Sequence, residues 1–110
     1  MATTYKVLGQ NAPSATTATT LYTAPAATQA VVSSLVVANR AGTPATYRIA
    51  IRPAGATLSN EHYIAYDVTL GAADSTTLTL GITLAATDVI TIYASTANTS
   101  FSVFGSEITA

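Results

Sequence analysis

No cysteine and no tryptophan occur in this chain, and charge is scarce: four Lys or Arg and five Asp or Glu in 110 residues. Without cysteine there is no disulfide, no thiolate zinc site, no iron–sulfur ligation and no thiol nucleophile. Stability does not depend on an oxidising compartment, so the redox environment stays open. Histidine is limited to His62, and catalysis needs a paired acid and base, an activated nucleophile or a metal. His62 opens a strand and reads as a structural residue, with Asp67 on the opposite face of that strand. Asp74 and Asp88 read as turn formers. The other acids are spread over separate strands, and Gly9, Gly55 and Gly71 form no phosphate loop with a lysine. The expectation is no enzyme activity, no catalytic residue, no metal, no cofactor and no small-molecule substrate.

Long apolar runs are missing too. Nothing approaches the ~18 consecutive apolar residues of a membrane span, and MATTYKVLGQ lacks the apolar core of a signal peptide. Lys6, Arg40, Arg48 and Arg52 are too few and too scattered to neutralise a row of phosphates. Neither membrane nor nucleic acid is therefore an expected partner. A net charge of −1 is unusual for a free monomer, because near-neutral surfaces promote association. Assembly with copies of itself or with another surface is expected.

What is present is apolar and small. Hydrophobic residues make up 49% of the chain, and 21 threonines and 22 alanines leave the surface mainly to Thr, Ser and Ala. The longest β-branched run is ATQAVVSSLVVA, Ala27–Ala38. Valine favours an extended backbone, and Pro25 before it and Asn39, Gly42 and Pro44 after it punctuate the run. It reads as a central strand, buried on both sides for part of its length.

Ala45–Arg52 alternates cleanly, with Tyr47, Ile49 and Ile51 on one face and Arg48, Ala50 and Arg52 on the other. It reads as the hairpin partner of the central strand. After the loop Pro53–Asn60, His62, Ile64, Tyr66, Val68 and Leu70 share one face, with Tyr63, Ala65, Asp67 and Thr69 on the other. Thr76–Leu84 puts Leu78, Leu80, Ile82 and Leu84 together, with Gly81 marking a bulge or bend. Asp88–Ala94 turns Ile90 and Ile92 inward, and its other face (Val89, Thr91, Tyr93) is apolar enough to be covered by a partner. Ser100–Phe104 is a last strand and Gly105–Ala110 a short tail. No segment carries a helical stripe. The fold class is all-β: an antiparallel β-sandwich, jelly-roll-like, of seven to eight short strands. Residues 1–26 are expected to be an extended arm with the first short strands, and residues 27–110 the sandwich body of one domain. Met1–Pro13 reads either as a frayed terminus or as an arm, with Tyr5 and Lys6, lying on a neighbouring subunit.

Recognition residues follow from residue type. Arg48 and Arg52 lie four apart on one strand, so they face the same way about 13 Å apart. They suit carboxylates on a partner or simply keep that face soluble. Of six tyrosines, Tyr63 and Tyr93 sit on outward faces, where an apolar ring with a polar end suits an interface. A carbohydrate-binding sandwich is a third class. Tyrosines gathered round a concavity would favour ligand binding, and tyrosines along a flat side would favour assembly.

Val7–Gln10, Leu21–Ala26, Ala30–Leu35, Tyr47–Pro53, Leu80–Leu84, Asp88–Ser95 and Phe101–Ile108 together resemble segments of a family of small virion structural proteins of tailed bacteriophages, especially those of cyanobacteria and marine bacteria. These are framework strands and turns that cover most of the chain, with no catalytic signature. The resemblance implies a non-enzymatic capsid cement or decoration protein, trimeric, on the outer surface of the phage head, with the major capsid protein and its own copies as partners. The alternative it implies is a tail- or fibre-associated module that contributes to host attachment.

Overall fold

The computed structural model describes residues 2–79 and 81–109. Nine strands are present among them: β1 (Ala2–Asn11), β2 (Thr19–Thr23), β3 (Thr28–Asn39), β4 (Ala45–Arg52), β5 (Tyr63–Leu70), β6 (Ser75–Leu78), β7 (Ile82–Leu84), β8 (Val89–Ala94) and β9 (Thr99–Thr109). They form two antiparallel sheets. One runs β1-β9-β3-β6, with β7 also paired to β3; the other runs β2-β8-β4-β5. Leu35, Val37, Phe101 and Val103 of the first sheet pack on Ile49, Ile90 and Ile92 of the second. This is the all-β sandwich that the alternation implied.

The expected seven to eight strands become nine because one run splits in two, and the strands at both ends of the chain are longer than expected. The N-terminal segment is a ten-residue strand, paired with β9 from Ala2↔Thr109 to Asn11↔Phe101. The expected tail after Phe104 is the second half of β9, which pairs with β3 as far as Thr28↔Thr109. The run Thr76–Leu84 is two strands, β6 and β7, laid end to end along β3. Gly81 at the break has φ +61°, which its missing Cβ allows. The expectation for Leu80 lies outside the described residues.

The central run differs from its expectation in a way that explains its sequence. A bulge at Ser33 shifts the β3–β9 register between Val32 and Ser34. Val32 and Leu35, three apart, therefore both enter the core, while Val31 and Val36 are half-exposed. The strand is buried on one face, not two, and VVSSLVV is an alternating pattern with one extra residue in it.

The expected β3–β4 hairpin is absent, because the two strands lie in different sheets. Asn39 explains the crossing. Its buried amide donates to the Thr43 (2.8 Å), Gly71 (3.1 Å) and Leu70 (3.4 Å) carbonyls, and its Oδ1 accepts the Ala41 N–H (3.0 Å). This clamp satisfies backbone groups that would otherwise be buried unpaired, and it turns the chain across the sandwich.

Candidate interaction site

Two surfaces gather the residues that carry recognition chemistry. The first lies on the outer face of the β1-β9-β3 sheet. Tyr5 stands opposite Ser106, and Val7 opposite Phe104. Val31 and Ser33 of β3 complete a shallow groove of ≈ 610 Å³ with these residues. Tyr5 is 84% exposed and Val7 50%. The two side chains leave an apolar strip exposed on this face. Leu8, on the face opposite Val7, packs on the core, and a bulge there sets Gly9 against Val103. Gly9 lies where a Cβ would meet the Leu21 carbonyl, and Gly105 where one would meet that of Val31.

Lys6 points to the other face of β1 and meets the Glu107 carboxylate at 2.7 Å. Glu107 also accepts the Tyr22 hydroxyl proton at 2.5 Å. The Lys6 bond and then the Tyr22 bond hold the Glu107 carboxyl below its usual range. Burial, then the Glu107 hydrogen bond, pushes the Tyr22 phenol well above its own. Lys6 is thus held within its own chain as well as placed near the edge.

The second surface is the outer face of the β2-β8-β4-β5 sheet, centred on Arg48. Its guanidinium donates to both oxygens of Asp67, at 2.6 and 3.2 Å. The guanidinium carbon lies 4.2 Å from the ring centres of both Tyr66 and Tyr93. Tyr63 meets Tyr66 edge-on at 4.9 Å. The Asp67 hydrogen bond raises the Arg48 pKa, and the Arg48 hydrogen bond lowers that of Asp67. The carboxylate that meets Arg48 thus belongs to its own chain. Arg52 is engaged in the same way: Nε donates to the Thr91 hydroxyl (3.0 Å) and Nη1 to the Ala56 carbonyl (3.0 Å).

These contacts correct two expectations. Val89 and Thr91 are buried, but the chain itself covers them, through Arg52 and the turn Pro53–Gly55, whose Gly55 sits against Val89. Tyr93 is roofed by Arg48. The faces of β5 are also mixed. Asp67 takes φ +51° and the register with β4 slips beside it. Consequently Ile64 and Tyr66 turn outward (46% and 56% exposed), Ala65 packs on the core, and Leu70 is buried. Tyr66 and Asp67 are the residues that sequence reasoning missed here, because strict alternation put them on opposite faces and gave neither to Arg48.

Tyr63 and Tyr66 line an open cleft of ≈ 370 Å³ with Asn60. His62 braces the turn before it, with Nδ1 accepting the Ser59 N–H at 3.1 Å. Among the described residues no group of three or more His, Cys, Asp or Glu is placed to hold a metal ion. Asp88 fills its turn role, accepting the Ala54 and Ala85 N–H groups at 2.8 and 2.9 Å.

The chain matches no family model, no curated protein and no solved structure. Its fold class therefore rests on its own two sheets.

Proposed function

We propose that this chain is a non-enzymatic structural protein of a tailed-phage particle: a cement or decoration protein that binds the assembled head through its major capsid protein and stabilises it. The observation that supports this reading most is the exposed apolar strip of Tyr5 and Val7, beside Val31 and Phe104, on a chain of net charge −1. That strip offers area without charge, which suits a flat, repeated protein surface. A ligand that binds only the assembled shell stabilises the shell by mass action, and many weak contacts over a lattice add up. The segment resemblance to phage virion proteins points the same way.

A second reading is favoured by the Asn60–Tyr63–Tyr66 cleft. A tail- or fibre-associated module could use those rings and that amide on a host surface sugar, since tyrosine pairs an apolar face with a polar end.

Electron cryo-microscopy of the intact particle separates the two. Hundreds of copies over the icosahedral head support the cement reading. A few copies confined to the tail support the attachment reading, and absence from the particle overturns both. Purified protein added to bare heads should raise their rupture temperature, and Tyr5→Ser with Val7→Ser should remove that effect.

A further inference from the structure

Among the described residues the sandwich has four open strand edges, and three of them are spoiled for pairing. An open edge offers unpaired N–H and C=O groups to any extended chain, and proteins blunt such edges with short strands, bulges and charge. Edge β2 has five residues, with a register shift between Thr20 and Tyr22. Edge β5 has two register shifts and a left-handed Asp67. The β6/β7 edge consists of pieces of four and three residues.

Edge β1 is neither short nor bulged over Ala2–Val7. These residues pair without interruption against Phe104–Thr109, and among the described residues no strand lies beyond them. The stretch has no proline, and Tyr5 and Val7 are its exposed apolar side chains. Its one charge, Lys6, is met by Glu107 at 2.7 Å. Six strand residues span about 20 Å.

We propose that β1 is a self-pairing edge, and that two copies of this chain join through antiparallel β1–β1 pairing about a two-fold axis. The occupant is a second copy for two reasons. A regular backbone edge is matched best along its whole length by another regular edge of similar length, and on this molecule that is β1 itself. Charge also permits it, because Lys6 is neutralised within its own chain.

Charge bears on the register as well. An axis at Lys6 would bring the two Lys6–Glu107 pairs together with their ammonium groups facing, the least favourable arrangement. An axis at Tyr5 sets Tyr5 against Tyr5 of the second copy, Thr3 against Val7, and Thr4 against Lys6. Opposed residues then keep to the same face. The two β1-β9-β3 sheets become continuous and their Tyr5–Val7 grooves lie side by side on one surface. This inference stands independently of which particle or surface the chain binds.

Sedimentation velocity over a wide concentration range tests it. The wild type should equilibrate between monomer and dimer. Tyr5→Lys, which places like charges across the axis, should weaken dimerisation roughly 100-fold or more. Circular dichroism checks that the variant keeps its sheets. Because the chain lacks cysteine, Tyr5→Cys supplies a lone thiol, and opposed strand residues are close enough for a disulfide. Oxidation should link Tyr5→Cys into covalent dimers and leave the exposed control Thr57→Cys monomeric. A wild type that stays monomeric throughout overturns the inference. So does a dimer or trimer that Tyr5→Lys leaves intact, or a Tyr5→Cys variant that cross-links no better than the control.

Discussion

The Tyr22 hydroxyl and the Glu107 carboxylate, 85 residues apart in the chain, are joined by a 2.5 Å hydrogen bond that ties the edge of one sheet to the interior of the other. Lys6 closes the group from β1 at 2.7 Å. Three strands from both ends of the chain meet at one carboxylate, whose side chain is only 13% exposed. Bonds to a charged acceptor away from bulk water are the stronger kind.

Glu107 therefore gives the fold a pH dependence of definite sign. Its native pKa is depressed, by Lys6 first and Tyr22 second. The stabilisation is complete above the unfolded value of about 4.3 and is lost as pH falls through the lower native value. Asp67, depressed by Arg48, acts in the same direction. Urea denaturation should show lower stability at acid pH than at neutral pH. Glu107→Gln should cost roughly 1–3 kcal/mol at neutral pH and flatten that dependence. An acid profile unchanged in Glu107→Gln would remove the assigned role.

Arg48 tests whether the outer cluster needs a planar cation. The guanidinium stacks between two rings while gripping Asp67 with two nitrogens. A lysine ammonium cannot do both. Arg48→Lys should lower the melting temperature nearly as much as Arg48→Ala, and both should change the near-ultraviolet tyrosine dichroism. Full rescue by lysine would mean that charge alone matters there.

At Gly105, β9 lies too close to β3 for a side chain to fit. A Cβ there would meet the Val31 carbonyl oxygen and come within 3.0 Å of Val32 Cα, both backbone atoms that cannot swing aside. Gly105→Ala should cost about 3 kcal/mol or prevent folding. Gly42→Ala, with nothing within 4 Å, should change stability by less than about 0.5 kcal/mol. Thermal melts of the pair are enough to decide.

Asn39 holds three carbonyls and one N–H at the corner between the sheets. Asn39→Ala should cost on the order of 2–4 kcal/mol, since buried backbone groups lose their partner. Asn39→Asp should be worse, because it turns a carboxylate toward the same carbonyls. Chemical denaturation of the two variants gives the order, and a milder Asn39→Asp would contradict the clamp.

The fold class was legible because it rests on local chemistry. Tyr47-Arg48-Ile49 and Ile90-Thr91-Ile92 alternate, and a period of two puts one set of side chains in a core whatever the strands pair with. Asp88 was legible as a turn former because its bond to the Ala85 N–H is local; its second bond, to the Ala54 N–H 34 residues away, was not. The outward placement of Tyr63 and Tyr93 also followed from alternation. The partners of Arg48 did not, because a bulge at Asp67 changed the phase of β5.

The amino-acid sequence by itself determined that this is a β-sandwich with little charge, no cysteine chemistry and central strands such as β4 and β8 in their observed places, since alternation and composition act within a few residues. Only the tertiary structure decided which sheet each strand joined, where Ser33, Leu8 and Asp67 would bulge, and that Lys6 would find Glu107 and Arg48 would find Asp67. Those outcomes depend on pairing between distant segments. One extra residue in a ladder reverses every face beyond it, and the cost or gain of that reversal is set by the opposing strand.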